Sequence, residues 1–424
     1  MLQSPITNSG GSPKPGARAC LIITKCPLDP AAAHSLSFAV LTLERPSIKL
    51  VENKIKTMSW RKDLFVIKIR TSIGLELLRF LDLVVLARLK INKSKIKGYH
   101  SMITQRQPRV IALEEHYWDY EVETHFKGRD SSRRNALMDR LHDLGELRLK
   151  EMDEAGIDVQ VLSHGAPSLQ RVDAESAVTL AKSANDRLAE ACRANSERLF
   201  GFAALPTASP KAAADELERA VDHLGFRGAM IHGPTGADGW LDKKEYWPIF
   251  ERAEALDVPI YLHPSWPHKN FLETYLSDYL EEYPALGGPA WGYTIETATH
   301  ALRIILSGVF DKYPNAKMIL GHLGESIPFS LWRINQALNR IENTGGASFR
   351  EIFSKHFWIT TSGNFSNPAL LCCMMEIGID RIMFSVDYPF VENNEATSWI
   401  PTIPLCEEDI SKLLHKNAET LLKL

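Results

Sequence analysis

Imidazoles and carboxylates recur where apolar runs end. Ala112-Leu113-Glu114-Glu115-His116, Tyr261-Leu262-His263-Pro264, Gly321-His322-Leu323-Gly324-Glu325 and Phe384-Ser385-Val386-Asp387-Tyr388-Pro389 each close on such groups, and Thr360-Thr361-Ser362-Gly363 adds a polar turn. Neutral imidazole nitrogen and carboxylate oxygen suit zinc, manganese or iron, and a catalytic centre takes three or four protein ligands while leaving a position for water or substrate. Glu114, His116, His263 and Asp387 supply that set. One histidine at a strand end is most often a satisfied core residue; Glu-x-His on one strand, joined by two more strand-end donors, points to a metal. Side chains alternate across a strand, so Glu114 and His116 share a face and Glu115 takes the other. Glu114 is therefore the ligand, and Glu115 is expected to serve whatever packs outside the sheet.

His322 and Glu325 form a second cluster in a turn where Gly321 and Gly324 permit close backbone approach. A general acid or base pair fits them; the alternative is that Glu325 caps the following helix, whose dipole favours a carboxylate there. Arg333 follows in Leu331-Trp332-Arg333-Ile334-Asn335, a helix whose apolar neighbours are expected to face the barrel. It could bind a substrate carboxylate or pair with an acid such as Glu325. Trp291, Tyr293, Tyr388 and Phe390 could lie against an aromatic ring or simply pack at the mouth of the fold. The six cysteines show neither CxxC nor zinc-finger spacing, so reduced thiols and a cytoplasmic setting are expected.

These groups need a scaffold that gathers strand ends. Eight strand-like runs are legible: Val110–Tyr117, Val159–Ser163, Leu199–Leu205, Gly228–His232, Pro259–His263, Lys317–His322, Phe357–Thr361 and Arg381–Asp387. Amphipathic stretches of helical period lie between them, such as 144–155, 177–195, 210–224, 246–255, 297–311 and 328–341. Eight strands alternating with helices predict an α/β fold, the (β/α)8 TIM barrel, whose parallel strands all end on one face. Ser209-Pro210 reads as a helix start, and Gly156 and Gly225 as left-handed helix ends. The Pro-, Gly- and aromatic-rich stretch between His263 and Thr297 is expected to form a lid over the mouth.

Charge divides the chain. Residues 1–101 hold 17 Lys/Arg against 6 Asp/Glu, and the remainder 32 against 46. Residues 1–105 thus read as a basic N-terminal extension, disordered or loosely packed and without a part in catalysis, and 106–424 as the catalytic domain. The apolar stretch Ile73–Leu89 is interrupted by Glu76, Arg79, Asp82 and Arg88, too many charges for a membrane span. Residues 1–30 lack the charged start and apolar core of a secretory signal. A net charge of −3, with 45% hydrophobic and 24% charged residues, suggests an ordinary globular protein with no nucleic-acid or membrane partner.

From Arg109 to Leu424 the text resembles the metal-dependent decarboxylase branch of the amidohydrolase superfamily, close to hydroxybenzoate decarboxylases such as the γ-resorcylate and 2,3-dihydroxybenzoate enzymes. The resemblance rests on ALEEH, LGFRGAMIHG, DVPIYLHP, GVFDKYPNAKMILGHLGE, IPFSLWRIN, WITTSGNF, DRIMFSVDYPF and Lys416-Asn417-Ala418. It implies metal binding by Glu114, His116, His263 and Asp387. His322 and Glu325 would assist catalysis, and Trp332-Arg333 would match the family's tryptophan–arginine pair.

The implied reaction is non-oxidative decarboxylation of an ortho-hydroxybenzoate, a small aromatic carboxylic acid. Zinc or manganese would be the cofactor, and the protein would be a homodimer or homotetramer. Asp387 is the expected acid toward the ring carbon, held protonated by desolvation or by a second negative charge. Two histidines depart from the family pattern. His232 stands where relatives carry asparagine, and His164 replaces a more neutral residue after the second strand, so both are expected to reach the pocket, with Arg333, His232 and Trp291 as substrate-binding candidates. A hydrolase or hydratase that activates water on the same metal is the alternative, and a catalytically dead barrel would require a lost ligand, which is not seen.

Overall fold

The computed structural model describes residues 108–127, 135–339 and 348–424. The expected N-terminal extension lies outside the described residues, as does the end of the predicted 328–341 helix. The barrel belongs to the unit Gln107–Leu424.

Nine strand segments form eight staves. They are β1 (Ile111–Tyr117), β2 (Val159–His164), β3 (Leu199–Gly201), β4 (Ala203–Ala204), β5 (Ala229–His232), β6 (Pro259–His263), β7 (Lys317–Leu320), β8 (Phe357–Thr360) and β9 (Ile382–Met383). Every pairing is parallel, β1-β2-β3 in one ladder and β4 through β9 in the other. The predicted third strand is divided because Phe202 donates to the Leu162 carbonyl while Ala203 donates to Gly228, so one stave changes partner midway. His116 N donates to the Tyr388 carbonyl at 2.6 Å and brings the last stave back to the first. This is the (β/α)8 architecture expected from the alternation of strands and helices.

Two predicted strands stop early. The sixth ends at Leu320 rather than His322, because His322 and Leu323 take left-handed backbone (φ 51° and 55°) that no ladder accommodates. The eighth keeps ladder geometry only at Ile382–Met383; Phe384 N then turns to the Leu413 carbonyl at 2.8 Å.

The inward positions of the staves grade from apolar to polar. Ile111, Leu113, Val159, Val161, Met230, Tyr261, Ile319 and Met383 form one buried cluster inside the barrel, sealed below by Ala418, Leu421 and Leu422 of the last helix. Alternate residues such as Ala112, Leu162, Ile231, Leu262 and Leu320 pack outward against the helical layer. Two residues further along the inward face stand Ser163, His232 and His263, at the C-terminal rim.

β1 breaks this alternation, and the break matters. Ala112 pairs with Gln160 but Glu115 with Leu162, so one extra residue is accommodated in β1. Such a bulge reverses facing. Continued alternation from Ile111 and Leu113 would aim Glu115 inward; with the bulge, Glu114 and His116 face in instead.

Helix ends behave as read. Pro210–Leu224 begins on proline, and Gly156 and Gly225 close their helices at φ 74° and 77°. The stretch after His263 is not a plain loop: it folds into short turns at Lys269–Phe271, Leu272–Leu276 and Pro284–Gly287. The helix Gly292–Leu306 then starts five residues earlier than the 297–311 pattern predicts. Among the described residues no helix is long and apolar enough to cross a membrane.

Candidate metal centre and its acid–base cluster

Glu114, His116, His263 and Asp387 each present one ligand-capable atom, and these atoms all lie within 4.8 Å of one another. His263 Nε2 is 3.1 Å from Glu114 Oε1, and His116 Nε2 is 3.3 Å from Asp387 Oδ1. Glu114 and His116 are fully buried. Nevertheless, Glu114 Oε1 and His116 Nε2 have no hydrogen-bond partner in the protein. Buried polar atoms without partners are costly, and two aimed at one point fit a divalent ion. The N2O2 donor set suits zinc or manganese.

The other oxygen of Glu114 is held from the barrel interior. Tyr261 and Ser362 hydroxyls donate to Oε2, and Thr360 Oγ1 lies 3.4 Å away. Gly321 closes this cradle: a Cβ there would sit 2.5 Å from Glu114 Oε2, so the position admits no side chain. Burial opposes ionisation of Glu114, but the charge of His322 and the nearness of His263 hold its carboxyl well below the usual range. Desolvation keeps His116 neutral, with its pKa below the ordinary imidazole value despite Asp387. Ser163 Oγ, 3.1 Å from His116 Nδ1, occupies the far side of that ring.

Glu115 is the opposite case. It is turned away from the quartet but is not free outside the sheet: Val386 N donates to it at 2.9 Å, Tyr388 N at 3.3 Å and Ser385 Oγ at 3.1 Å. These bonds fix the loop that carries Asp387. Desolvation raises its pKa to about 7, against the pull of those donors and of Arg148. Arg148 is wholly buried, donating to the His116 carbonyl at 2.7 Å and to Gln160 at 3.1 Å, and so clamps the end of β1.

His322 and Glu325 stand beside the quartet. His322 Nδ1 is 2.7 Å from Glu325 Oε1, while its Nε2 faces Asp387 Oδ2 at 3.7 Å and Glu114 Oε1 at 3.9 Å. Burial works against a charged ring, but Glu325, Glu114 and Asp387 outweigh it and hold the imidazolium pKa well above its ordinary value. His322, Glu325 and Asp387 all have positive φ (51°, 51° and 76°), a backbone strain that side-chain-bearing residues keep mainly where geometry serves function.

One expectation is corrected. Burial does push Asp387 upward, yet the neighbouring His116 and His322 rings outweigh it, and its carboxyl lies below the usual range rather than holding a proton. Of the two groups, His322 is the one whose surroundings favour a proton.

Arg333 and Trp332 lie on the exposed side of Ile327–Leu338; Trp332 is 60% exposed, and it is Ile327, Pro328 and Leu331 that the helix buries. The apolar neighbours of Arg333 therefore do not all face the barrel. Trp291, 46% exposed, precedes the helix Gly292–Leu306 at its N-cap. Phe390 is nearer the centre, its ring 5.6 Å from that of His116. His232 does not reach the open pocket: it is fully buried, its Nδ1 2.8 Å from His263 Nδ1 and its Nε2 2.7 Å from the His164 carbonyl. The His164 ring is likewise engaged, accepting from Asp119 N at Nε2 and facing the Gly165 carbonyl at Nδ1.

Sequence reasoning gave no role to Tyr261, which strand alternation would have found two residues before His263. Nor did it find Glu296, a buried carboxyl near Ser265 and Thr297 with Oε1 unpartnered, whose pKa desolvation lifts to about 8. No local pattern marks that helical glutamate.

Known proteins share this architecture. A family profile described as Amidohydrolase matches residues 113–424. The γ-resorcylate decarboxylase of Polaromonas sp. (strain JS666 / ATCC BAA-500) is 40% identical over 325 residues, covering 74% of this chain and 98% of its own. A crystal structure of 2,6-dihydroxybenzoate decarboxylase complexed with 2,6-dihydroxybenzoate superposes with TM-score 0.68 at 39% identity, over 75% of this chain and 100% of that one. Dihydroxybenzoic acid decarboxylase from Polaromonas sp. JS666, solved with manganese and the inhibitor 2-nitroresorcinol, also gives 0.68 at 39% identity, covering 75% and 98%.

Proposed function

This chain belongs to the amidohydrolase family, and from that premise we propose that its barrel mouth decarboxylates an ortho-hydroxybenzoate. It is a metal-dependent carboxy-lyase, cleaving a carbon–carbon bond without oxidation. The observation that carries the site assignment is the pair of orphaned, fully buried atoms, Glu114 Oε1 and His116 Nε2, inside a four-residue cluster of metal donors.

Glu114, His116, His263 and Asp387 would hold the ion. A divalent ion there would supply Lewis acidity to the substrate and stabilise phenolate charge. The remaining chemistry belongs to the chain. His322, kept protonated by Glu325 at Nδ1, stores the proton. Asp387, 3.7 Å from His322 Nε2, relays it to the ring carbon that bears the carboxylate. That carbon becomes tetrahedral, its bond to the carboxyl carbon breaks, the electron pair returns to the ring, and carbon dioxide leaves. Glu115 contributes by fixing the backbone on either side of Asp387.

Phe390, whose ring is 5.6 Å from that of His116, would lie against the substrate ring. Arg333 and Trp291, both exposed, would act from the open rim. Bound manganese in the Polaromonas relative puts manganese first for testing and zinc second. The finer reading is a cytoplasmic homodimer or homotetramer with catalysis confined to 106–424; exposed apolar surface at Phe329 and Trp332 (83% and 60%) supports the oligomer alone.

Elemental analysis of the full chain, joined to carbon dioxide release from a panel of ortho-hydroxybenzoates, tests the reading. One metal per chain with release supports it and identifies the phenol. Metal without release favours a hydrolase, and absence of metal from protein purified in its presence overturns the ligand set.

A further inference from the structure

We propose that His232 is a positioning residue that fixes the tautomer and ring orientation of His263, so that His263 presents its Nε2 lone pair to the metal. The proposal rests on the reading of His263 as a ligand and deepens it.

β5 and β6 are paired with His232 directly opposite His263, so strand register alone sets the two rings side by side on the inward face. Their centroids are 4.5 Å apart with planes tilted by 62°. His232 Nε2 lies 2.7 Å from the His164 carbonyl, which can only accept, so that nitrogen carries the hydrogen. His263 Nδ1 lies 2.8 Å from the Pro264 carbonyl, which can only accept, so the hydrogen between the two rings belongs to His263, and His232 Nδ1, also 2.8 Å away, meets it with a lone pair. His263 shares this hydrogen between His232 Nδ1 and the Pro264 carbonyl. The remaining nitrogen of His263, Nε2, is left bare at the quartet, 3.1 Å from Glu114 Oε1.

The far nitrogen of a metal-bound imidazole is ordinarily steered by a carboxylate, carbonyl or water. Here a second imidazole joins the carbonyl, anchored in turn to the last residue of β2. The histidine that departs from the family pattern thus lies behind the ligand rather than against the substrate.

Asparagine and glutamine separate the two contacts, because Asn Oδ1 falls near the place of imidazole Nδ1 and the Gln amide near that of Nε2. Manganese affinity is measured by chelator competition for wild type, His232→Asn, His232→Gln and His263→Ala, alongside the melting temperature of each metal-free protein. His232→Asn keeps an acceptor for His263 and should bind within about threefold of wild type, whereas His232→Gln should bind about 10- to 100-fold more weakly, the range for an outer-shell partner of a ligand. A merely structural role would move both melting temperatures and leave metal affinity alone. If His263→Ala binds manganese like wild type, the ligand reading fails; if it loses the metal while His232→Gln does not, the positioning role alone fails. Nitrogen-15 spectra of histidine-labelled wild type need no variant: hydrogen on His263 Nδ1 and His232 Nε2 is expected, and hydrogen on His232 Nδ1 with a bare Nε2 overturns the assignment.

Discussion

Tyr261→Phe removes one oxygen from the inside of the barrel and tests how the metal carboxylate is held. The Tyr261 side chain is fully buried, with its ring 6.0 Å from that of Phe202, and phenylalanine keeps that packing. What is lost is the donor to Glu114 Oε2 and the 2.6 Å contact with Thr360 Oγ1. A hydrogen bond to a charged acceptor contributes roughly 1.5–3 kcal/mol, and Ser362 still donates to the same oxygen, so metal-free protein should lose about 2 kcal/mol. Metal affinity carries a second consequence. Fixing Oε2 is what aims Oε1 at His263 and the quartet, and loss of such an outer partner weakens metal binding about 10- to 100-fold. A carboxylate with fewer donors binds a cation more strongly, which opposes the loss; orientation dominates because the oxygen freed is not the one that faces the quartet. Urea unfolding of metal-free protein and manganese titration against a chelator measure the two effects. Stability within about 0.5 kcal/mol of wild type, together with affinity within about twofold, would refute the claim that Tyr261 organises the centre.

Asp387→Asn should abolish carbon dioxide release while far-ultraviolet circular dichroism stays unchanged; retained turnover would end its role as the acid. Removing metal with a chelator should lower the melting temperature, and restoring manganese at about 100 times its dissociation constant should return roughly 2.7 kcal/mol, so a melting temperature indifferent to manganese argues against the quartet. Glu296 has a folded pKa of about 8 against an ordinary 4.5, so folding takes up a proton between those values. Its stabilising contribution is complete below pH 4.5 and is lost as pH rises through 8, with a slope approaching about 1.4 kcal/mol per pH unit. Glu296→Gln should flatten that decline in urea unfolding from pH 5 to 8, and parallel curves for the two proteins would exclude it.

The sequence by itself determined the fold class, the staves and the groups that end them, because strand and helix periodicities are local and the metal donors lie within four residues of strand ends. Ser209-Pro210 and the two C-terminal glycines likewise mark helix ends through rules that act over a single turn. Facing was a different matter. Glu114 and His116 share a face by alternation, but whether that face is the interior depends on the one-residue bulge in β1, which exists only through pairing with β2. His232 looked from sequence like a group for substrate and in the fold stands behind His263, since register between β5 and β6 sets which ring is in front. Asp387 was expected to hold the proton; His322, brought within 3.7 Å of it by a left-handed turn, is instead the group whose surroundings favour the charge. Proton placement depends on charge attraction and loss of solvent among residues far apart in sequence, such as Glu114, His322 and Asp387. Only the closed barrel brings those residues within a few ångströms, so only the tertiary structure could decide it.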